Sequence, residues 1–504
     1  MRYVIGLNVI SNNGKKVVLA IFLVAVTVIS SISISFGLQS SNVISASGMI
    51  NYWIRVDIAV NVSKVIGVNN LTLGFQLDWG RWKTFLDRPV QWRLAQDAGF
   101  RLVRVFDFRS TNPRLMPCTY WNESAKTGTW NWTWVDLLTR KIFEIGAEPL
   151  FCLGWARDNI QNYIPPGMVV DPVTQLPYPE SYAAYAAEWV KHFKQLELPV
   201  RFYQIMNEPF FYFGWNAENM TKLRYFVEFW NTVARAMRAE NPSILLSHDA
   251  ITQKKVFDYW LLYGDDVDFL DFHKYDADTI GQYNDAEMFK RAETRGFEDI
   301  LGSTLLSVNT ARQRWFDARG KWLPVIISES NFNSAWKNGT DPKIQQMTGA
   351  VWLALTLRTG ILKGLDSYIY FEFTSSKSGM EKSNMTGWGF GMINADDNQP
   401  WYPYYVLQMI GSNLSSGDKI VKTESKSDDI RTLAWICDGK LIILLISKVA
   451  EPRVIKIQGI TGQFNIMWID DTIPYINPEL QKNTINIEHP IKLNGYTVML
   501  LKEL

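Results

Sequence analysis

The sequence predicts an α/β protein, a (β/α)8 TIM barrel followed by a C-terminal antiparallel β-sandwich. Three observations lead there. Strand-like and helix-like segments alternate from Leu71 to about Pro400. Two apolar strands in that stretch break into polar runs, at Asn207-Glu208-Pro209 and at Ser328-Glu329-Ser330. After Pro400 the texture changes to short β-rich runs without long helices. A chain of 504 residues, 47% of them hydrophobic, can bury a core large enough for two such domains.

Residues 1–47 read as a signal peptide or a membrane anchor. Arg2, Lys15 and Lys16 precede Val17 to Ile29, which is apolar apart from Thr27. That run is short for a span of ~20 residues, and Ser45-Ala46-Ser47 offers small residues for cleavage, whereas an Ile/Ser-rich extension to Phe36 would lengthen a span. Either way the expectation is an extracellular or cell-surface protein, with membrane attachment through this segment if it is not cleaved. Eight Asn-x-Ser/Thr sequons, at Asn61, Asn70, Asn122, Asn131, Asn219, Asn338, Asn384 and Asn413, fit a glycosylated surface. Within residues 48–66, Ile54, Val56, Ile58, Val60 and Val62 alternate as in a strand whose partners lie elsewhere.

Residues 67–400 hold eight β-α units. Their strands are expected at Leu71 to Leu77, Arg101 to Phe106, Pro149 to Gly154, Phe202 to Met206, Ile244 to Ser247, Val267 to Phe272, Pro324 to Ser328 and Ser367 to Phe373. Helical spacing follows each; in the fourth unit Leu223, Phe226, Trp230, Val233 and Met237 mark one face within Ala217 to Ala239. A doubly wound open sheet has the same local pattern, so the placement of polar motifs decides between the two. In residues 401–504, Leu433 to Cys437 and Leu441 to Ser447 flank Asp438-Gly439, a hairpin signal, and four further strand-like runs complete a small sandwich.

Composition narrows the function. With 51 basic against 50 acidic residues the net charge is +1, and no basic block is present, so nucleic acid and other polyanions are not supported as partners. A neutral substrate fits better. Cys118, Cys152 and Cys437 have neither disulfide-framework nor metal spacing, and the four histidines include no H-E-x-x-H pair, so neither a metal nor another cofactor is expected. Aromatics make up 14% of the chain, more than packing requires, and flat rings can stack on sugars.

The chemistry points to two acids. Arg201 to Phe210 (R-F-Y-Q-I-M-N-E-P-F) is an apolar strand in which Pro209 cannot donate to a ladder, so pairing is expected to end at Glu208. Leu323 to Phe332 (L-P-V-I-I-S-E-S-N-F) repeats the arrangement with Glu329. In a parallel barrel the C-terminal rim is where catalytic side chains collect. Acids on strands four and seven face each other across that mouth, which is what glycosidic cleavage needs: one carboxyl protonates the leaving oxygen while the other attacks the oxocarbenium-like carbon.

N-E-P on strand four with a Glu on strand seven resembles clan A of the glycoside hydrolases, retaining (β/α)8 enzymes that include families 39 and 5. Arg104 in R-L-V-R-V-F resembles the strand-two Arg that holds the nucleophile. D-F-H-K-Y, Asp271 to Tyr275, resembles the strand-six segment whose His and Tyr line the site, and G-F-G-M-I-N before W-Y-P-Y-Y resembles the passage out of strand eight. The resemblance spans about residues 70–410. It implies Glu208 as acid/base, Glu329 as nucleophile, Asn207 as a hydrogen-bonding partner of the sugar 2-hydroxyl, and Arg104, His273 and Tyr275 around them. It also implies that the Ile54 to Val62 strand joins the C-terminal sandwich. Trp155, Trp215, Trp336 and Trp388 follow rim strands and are candidate sugar platforms, while Glu372 on strand eight is a rival acid. The expected function is an exported retaining hydrolase of β-linked glycans, cellulase-, xylanase- or mannanase-like. The alternatives are an exo-acting β-glycosidase and a catalytically silent carbohydrate-binding protein. An oxidoreductase lacks any G-x-G-x-x-G after a strand.

Overall fold

The structure, a computed structural model, describes residues 54–77, 85–106, 108, 116–154, 160–474 and 476–504. The N-terminal apolar segment lies outside them, as does Trp155. Among the described residues no helix is long and apolar enough to cross a membrane.

Eight parallel strands form the barrel: Thr72–Leu77, Leu102–Val105, Glu148–Cys152, Phe202–Gln204, Leu245–Ser247, Leu270–Tyr275, Val325–Asn331 and Ser367–Tyr370. The first pairs with the eighth, so the ring is continuous except between the fifth and sixth. Residues just ahead of the sixth strand close that seam. The Asp268 N–H donates to the Leu246 carbonyl (2.8 Å), the Asp268 carboxylate accepts from the Leu246 N–H (3.0 Å), and Ser247 Oγ donates to the Phe269 carbonyl (2.6 Å). Strand six therefore begins at Leu270 and not at Val267 as its apolar pattern suggests, because Asp268 and Phe269 are used to close the seam.

A helix follows each strand, and the periodic faces are the buried ones: Leu223, Phe226, Trp230, Val233 and Met237 are fully covered. The fourth helix, Met220–Glu240, starts later than its spacing suggests because Asn219 caps it, accepting from the Lys222 N–H. That helix keeps a polar outer face, whereas Met347–Leu362, after strand seven, is apolar all round and buried nearly throughout. Such a helix needs partners on every side. It has the barrel on one side and the C-terminal sheet on the other, where Leu433, Trp435, Ile442 and Leu444 join the same core.

The barrel interior is built in layers, because alternate residues of each strand point inward. Leu102, Leu150, Phe269, Ile326 and Ile369 form an apolar floor with Phe202 and Leu245. One pleat above, the inward residues are Gln76, Arg104, Gln204, Asp271 and Ser328, all fully buried. Gly74 lets the first two strands approach: a Cβ there would meet the Leu102 carbonyl oxygen at 2.3 Å.

The C-terminal sheet has nine strands, in which Ile54–Val68 is sandwiched between Lys419–Ser425 (antiparallel) and Arg453–Gln458 (parallel). Its inner face has its own core, with Val56, Ile58 and Val60 meeting Ile443, Leu445 and Leu501. Lys440–Ser447 is buried on both faces, which explains its unbroken apolar run L-I-I-L-L-I. The hairpin turn is Asp438-Gly439, both at positive φ (52° and 78°). Asn413, one of the sequons, is buried with its amide donating to the Met409 carbonyl.

Candidate active site

Both acids sit on distorted backbone. Strand four stops at Gln204, earlier than the proline alone would require, and the chain bends so that the Asn207 N–H meets the Gly154 carbonyl at 2.6 Å. Glu208 then takes a φ of 50°, the left-handed region, which costs about 1–2 kcal/mol for a residue with a Cβ. The Asp249 carboxylate, just past strand five, holds it there by accepting the Glu208 N–H through both oxygens (3.0 and 2.9 Å). Glu329 lies within strand seven, not at its end. A register shift between Ile327 and Glu329 marks a bulge, and it turns two consecutive residues inward: Ser328 meets Gln204 while Glu329 meets Arg104.

Arg104 organises the polar layer. Its Nη1 donates to Glu329 Oε2 (2.8 Å) and to Gln76 Oε1 (2.6 Å), its Nη2 to Asn207 Oδ1 (2.5 Å), and its Nε to Gln204 Oε1 (2.7 Å). Gln204 Nε2 passes the network on to Asp271 and Ser328. Glu329 also accepts from the Tyr275 hydroxyl (2.6 Å). With its oxygen committed to Arg104, Asn207 has its amide nitrogen as the end left for a ligand.

His273 stands among three carboxylates. Nδ1 lies 3.1 Å from Glu208 Oε1 and 3.8 Å from Glu329, and Nε2 lies 3.1 Å from Asp249 Oδ2, near enough for an ion pair though off the line of a hydrogen bond. Burial alone would push this ring down, but Glu329, Asp249 and Glu208 outweigh it and hold the imidazole well above its ordinary value. Burial likewise raises the Glu208 carboxyl; His273 offsets part of the rise, and the Glu329 and Asp249 charges add to it. Asp249 is pushed up by burial but ends below its ordinary value because His273 and Arg104 dominate. Below this level, burial pushes Asp271 up to about 7. Arg104 and His273 thus stand as the cationic groups among the Glu208, Asp249 and Glu329 carboxyls.

An oxygen of Glu208, an oxygen of Glu329 and a ring nitrogen of His273 lie within 4.8 Å of one another, a grouping that could bridge a metal ion. A protonated imidazole has no lone pair to give, and the raised His273 favours that form.

A cleft of about 610 Å³ opens from Glu208, His273 and Tyr275 over the loops after strands four to seven, with Trp215 and Trp336 in its walls. Trp215 is 53% exposed and stacks on Phe210 (3.9 Å). Trp388 is absent from this lining; it stacks on Trp401 (5.7 Å) beneath the Lys377 ammonium. Glu372 is buried beyond strand eight and does not belong to the carboxylate group. Gln76, Gln204, Asp249, Asp271 and Ser328 were not singled out from the sequence, although Gln76 and Gln204 carry a readable signal, a polar residue interrupting an apolar run at an inward position.

No protein-family model and no curated protein matches this chain. Solved structures do match. A glycoside hydrolase family 39 β-xylosidase from Caulobacter crescentus is similar at 13% identity and a TM-score of 0.60, covering 89% of this chain and 99% of that one. A family 51 α-L-arabinofuranosidase from Thermotoga petrophila RKU-1 is similar at 14% and 0.62, covering 89% and 100%. A family 30 endoxylanase from Clostridium papyrosolvens C71 is similar at 14% and 0.56, covering 89% and 99%. At such identities the likeness is one of fold, and coverage this wide takes in the barrel and the sandwich together.

Proposed function

We propose that the chain is a retaining glycoside hydrolase of neutral β-linked glycans, with Glu329 as nucleophile and Glu208 as acid/base. The observation that carries the reading is the pair of opposed carboxyls, with oxygens within 4.8 Å of each other, one held by Arg104 and Tyr275 and the other beside His273. Double displacement uses carboxyls about 5–5.5 Å apart, whereas inversion needs about 6.5–9.5 Å to admit a water. In the first step Glu208 gives its proton to the glycosidic oxygen, the bond from the anomeric carbon to that oxygen breaks, and Glu329 forms an ester to the carbon. In the second, Glu208, now a carboxylate, takes a proton from water as the water displaces Glu329, and the β-configuration returns.

The exposed Trp215 and Trp336 support a polymeric substrate of the glucan, xylan or mannan kind, since a row of rings can hold several sugar units. The β-xylosidase among the similar structures supports an exo-acting β-glycosidase as the second reading. The N-terminal run of Arg2, Lys15 and Lys16 before an apolar stretch supports export of the enzyme to such substrates. A screen of purified chain against β-glycans and aryl β-glycosides tests the whole reading: reducing-sugar or aryl release that Glu329→Gln abolishes supports it, and binding without release indicates a silent carbohydrate-binding protein.

A further inference from the structure

A second cavity, of about 520 Å³, lies in the C-terminal sheet and shares no lining residue with the barrel cleft. Along strand Gln463–Asp470 the inward row is Phe464, Ile466, Trp468 and Asp470, which pair sideways with Glu503, Leu501, Met499 and Thr497. The first half of the row is covered, with Phe464, Ile466 and Leu501 in the sandwich core. In its second half Met499 belongs to the same core and the partly buried Trp468 packs against it, yet both also line the cavity. The layer opposite is the three-residue strand Ile491–Leu493 and the turn through His489 and Pro490, and the cavity opens over Trp468 and Met499. The strands that end the nine-stranded order, Gln481–Asn486 and Ile491–Leu493, both contribute to the lining and do not pair with each other. Protein interiors are packed to crystal density, so a partly buried indole facing open space is a flat apolar face left to be filled.

The polar groups around that face are few and placed. Asp470 is buried and accepts from Asn494 Nδ2 at 2.7 Å, which fixes a carboxylate and an amide side by side. Asn486 flanks them, and His489 and Lys492 are exposed at the rim. One carboxylate and one ammonium cancel, so the lining selects for no charge. A flat ring with oriented amide, carboxylate and imidazole groups beside it matches a pyranose, which offers a C–H face to the indole and hydroxyls to the polar edge.

We propose that this cavity is a second carbohydrate site, which binds a neutral glycan and keeps polymeric substrate on the enzyme while the barrel cleaves it. The ligand class follows from the lining; the tethering role rests on the glycosidase reading. The test uses full-length Glu329→Gln chain with the cleft silenced by Trp215→Ala and Trp336→Ala, run by affinity electrophoresis in gels containing xylan, mixed-linkage β-glucan or glucomannan. The silenced chain is expected to be retarded by at least one glycan, and Trp468→Ala to weaken that binding roughly tenfold, the scale of a lost aromatic stack. If Trp468→Ala lowers the melting temperature, His489→Ala, on the exposed turn, carries the readout with a smaller loss. Migration of the silenced chain as in a plain gel with all three glycans overturns the proposal, as does migration of both variants with their parent. Aryl β-glycoside hydrolysis by the unmodified chain reads the barrel alone, so failure there is separable from failure here.

Discussion

Glu208, past the end of strand four, and Glu329, within strand seven, meet at one barrel mouth and have different surroundings. Glu329 accepts from the Arg104 guanidinium at 2.8 Å and from the Tyr275 hydroxyl at 2.6 Å. Glu208 has His273 at 3.1 Å and a backbone pinned by Asp249. The same residue type thus meets a guanidinium and a hydroxyl in one place and an imidazole in the other, and burial raises the Glu208 carboxyl.

The largest expected effect tests the anion. Glu329→Gln removes both chemical steps, and kcat is expected to fall by roughly 10⁴ to 10⁶, on the scale of losing a nucleophile elsewhere. Glu208→Gln should lose roughly 10² to 10⁴ on substrates with poor leaving groups and far less on activated aryl glycosides, whose departure needs no proton. The same variant sharpens the comparison through pH. Because the Glu208 carboxyl is raised, its proton is lost on the alkaline side, so kcat/KM of the parent should fall as pH rises through that value, and Glu208→Gln should lose this limb. A retained alkaline limb would assign the titration to another group.

Arg104→Met probes the anchor. It removes the guanidinium from Glu329 and Asp249 and leaves them only His273, and unfolding free energy from urea titration is expected to drop by about 3–5 kcal/mol. His248, next to Asp249 in sequence but turned into a cage of Phe226, Trp230 and Trp260, gives an effect that appears only in acid. Burial pushes its ring from 6.5 down to about 3. Between those values the unfolded chain binds a proton that the folded chain refuses, so stability falls as pH drops, by about 1.4 kcal/mol per pH unit from this group. His248→Leu should flatten that slope in acid unfolding curves. The smallest effect is expected at the cleft wall, where Trp336→Ala should raise KM by roughly tenfold on long oligosaccharides and less on short ones. Equal changes at both lengths would make the ring a packing residue.

Much of the barrel was legible because its strands are buried on both faces and read as short apolar runs between helical periods. The two acids were legible for the same reason: a charge that interrupts such a run has to be satisfied or used. What was not legible depends on pairing. The seam that moves strand six to Leu270, the bulge that turns Ser328 and Glu329 inward together, and the positive φ of Glu208 are set by contacts with residues far away in sequence. The layer of Gln76, Gln204, Asp271 and Ser328 shows why inward position matters as much as residue type. Gln76 and Gln204 each interrupt an apolar run, whereas Asp271 and Ser328 stand beside other polar residues, and only the barrel's closure brings the four around Arg104. Trp388 shows the converse, since following a rim strand did not bring it into the cleft lining, and Trp401 provides its stacking partner.

The division of roles between the two acids is tested most directly by proton NMR of the sugar first released from a β-glycoside, recorded before mutarotation. The account predicts that the β-anomer appears first and the α-anomer grows in only as the solution equilibrates. An initial α-product would mean that water, and not Glu329, attacks the anomeric carbon, and would contradict the double displacement assigned to this pair.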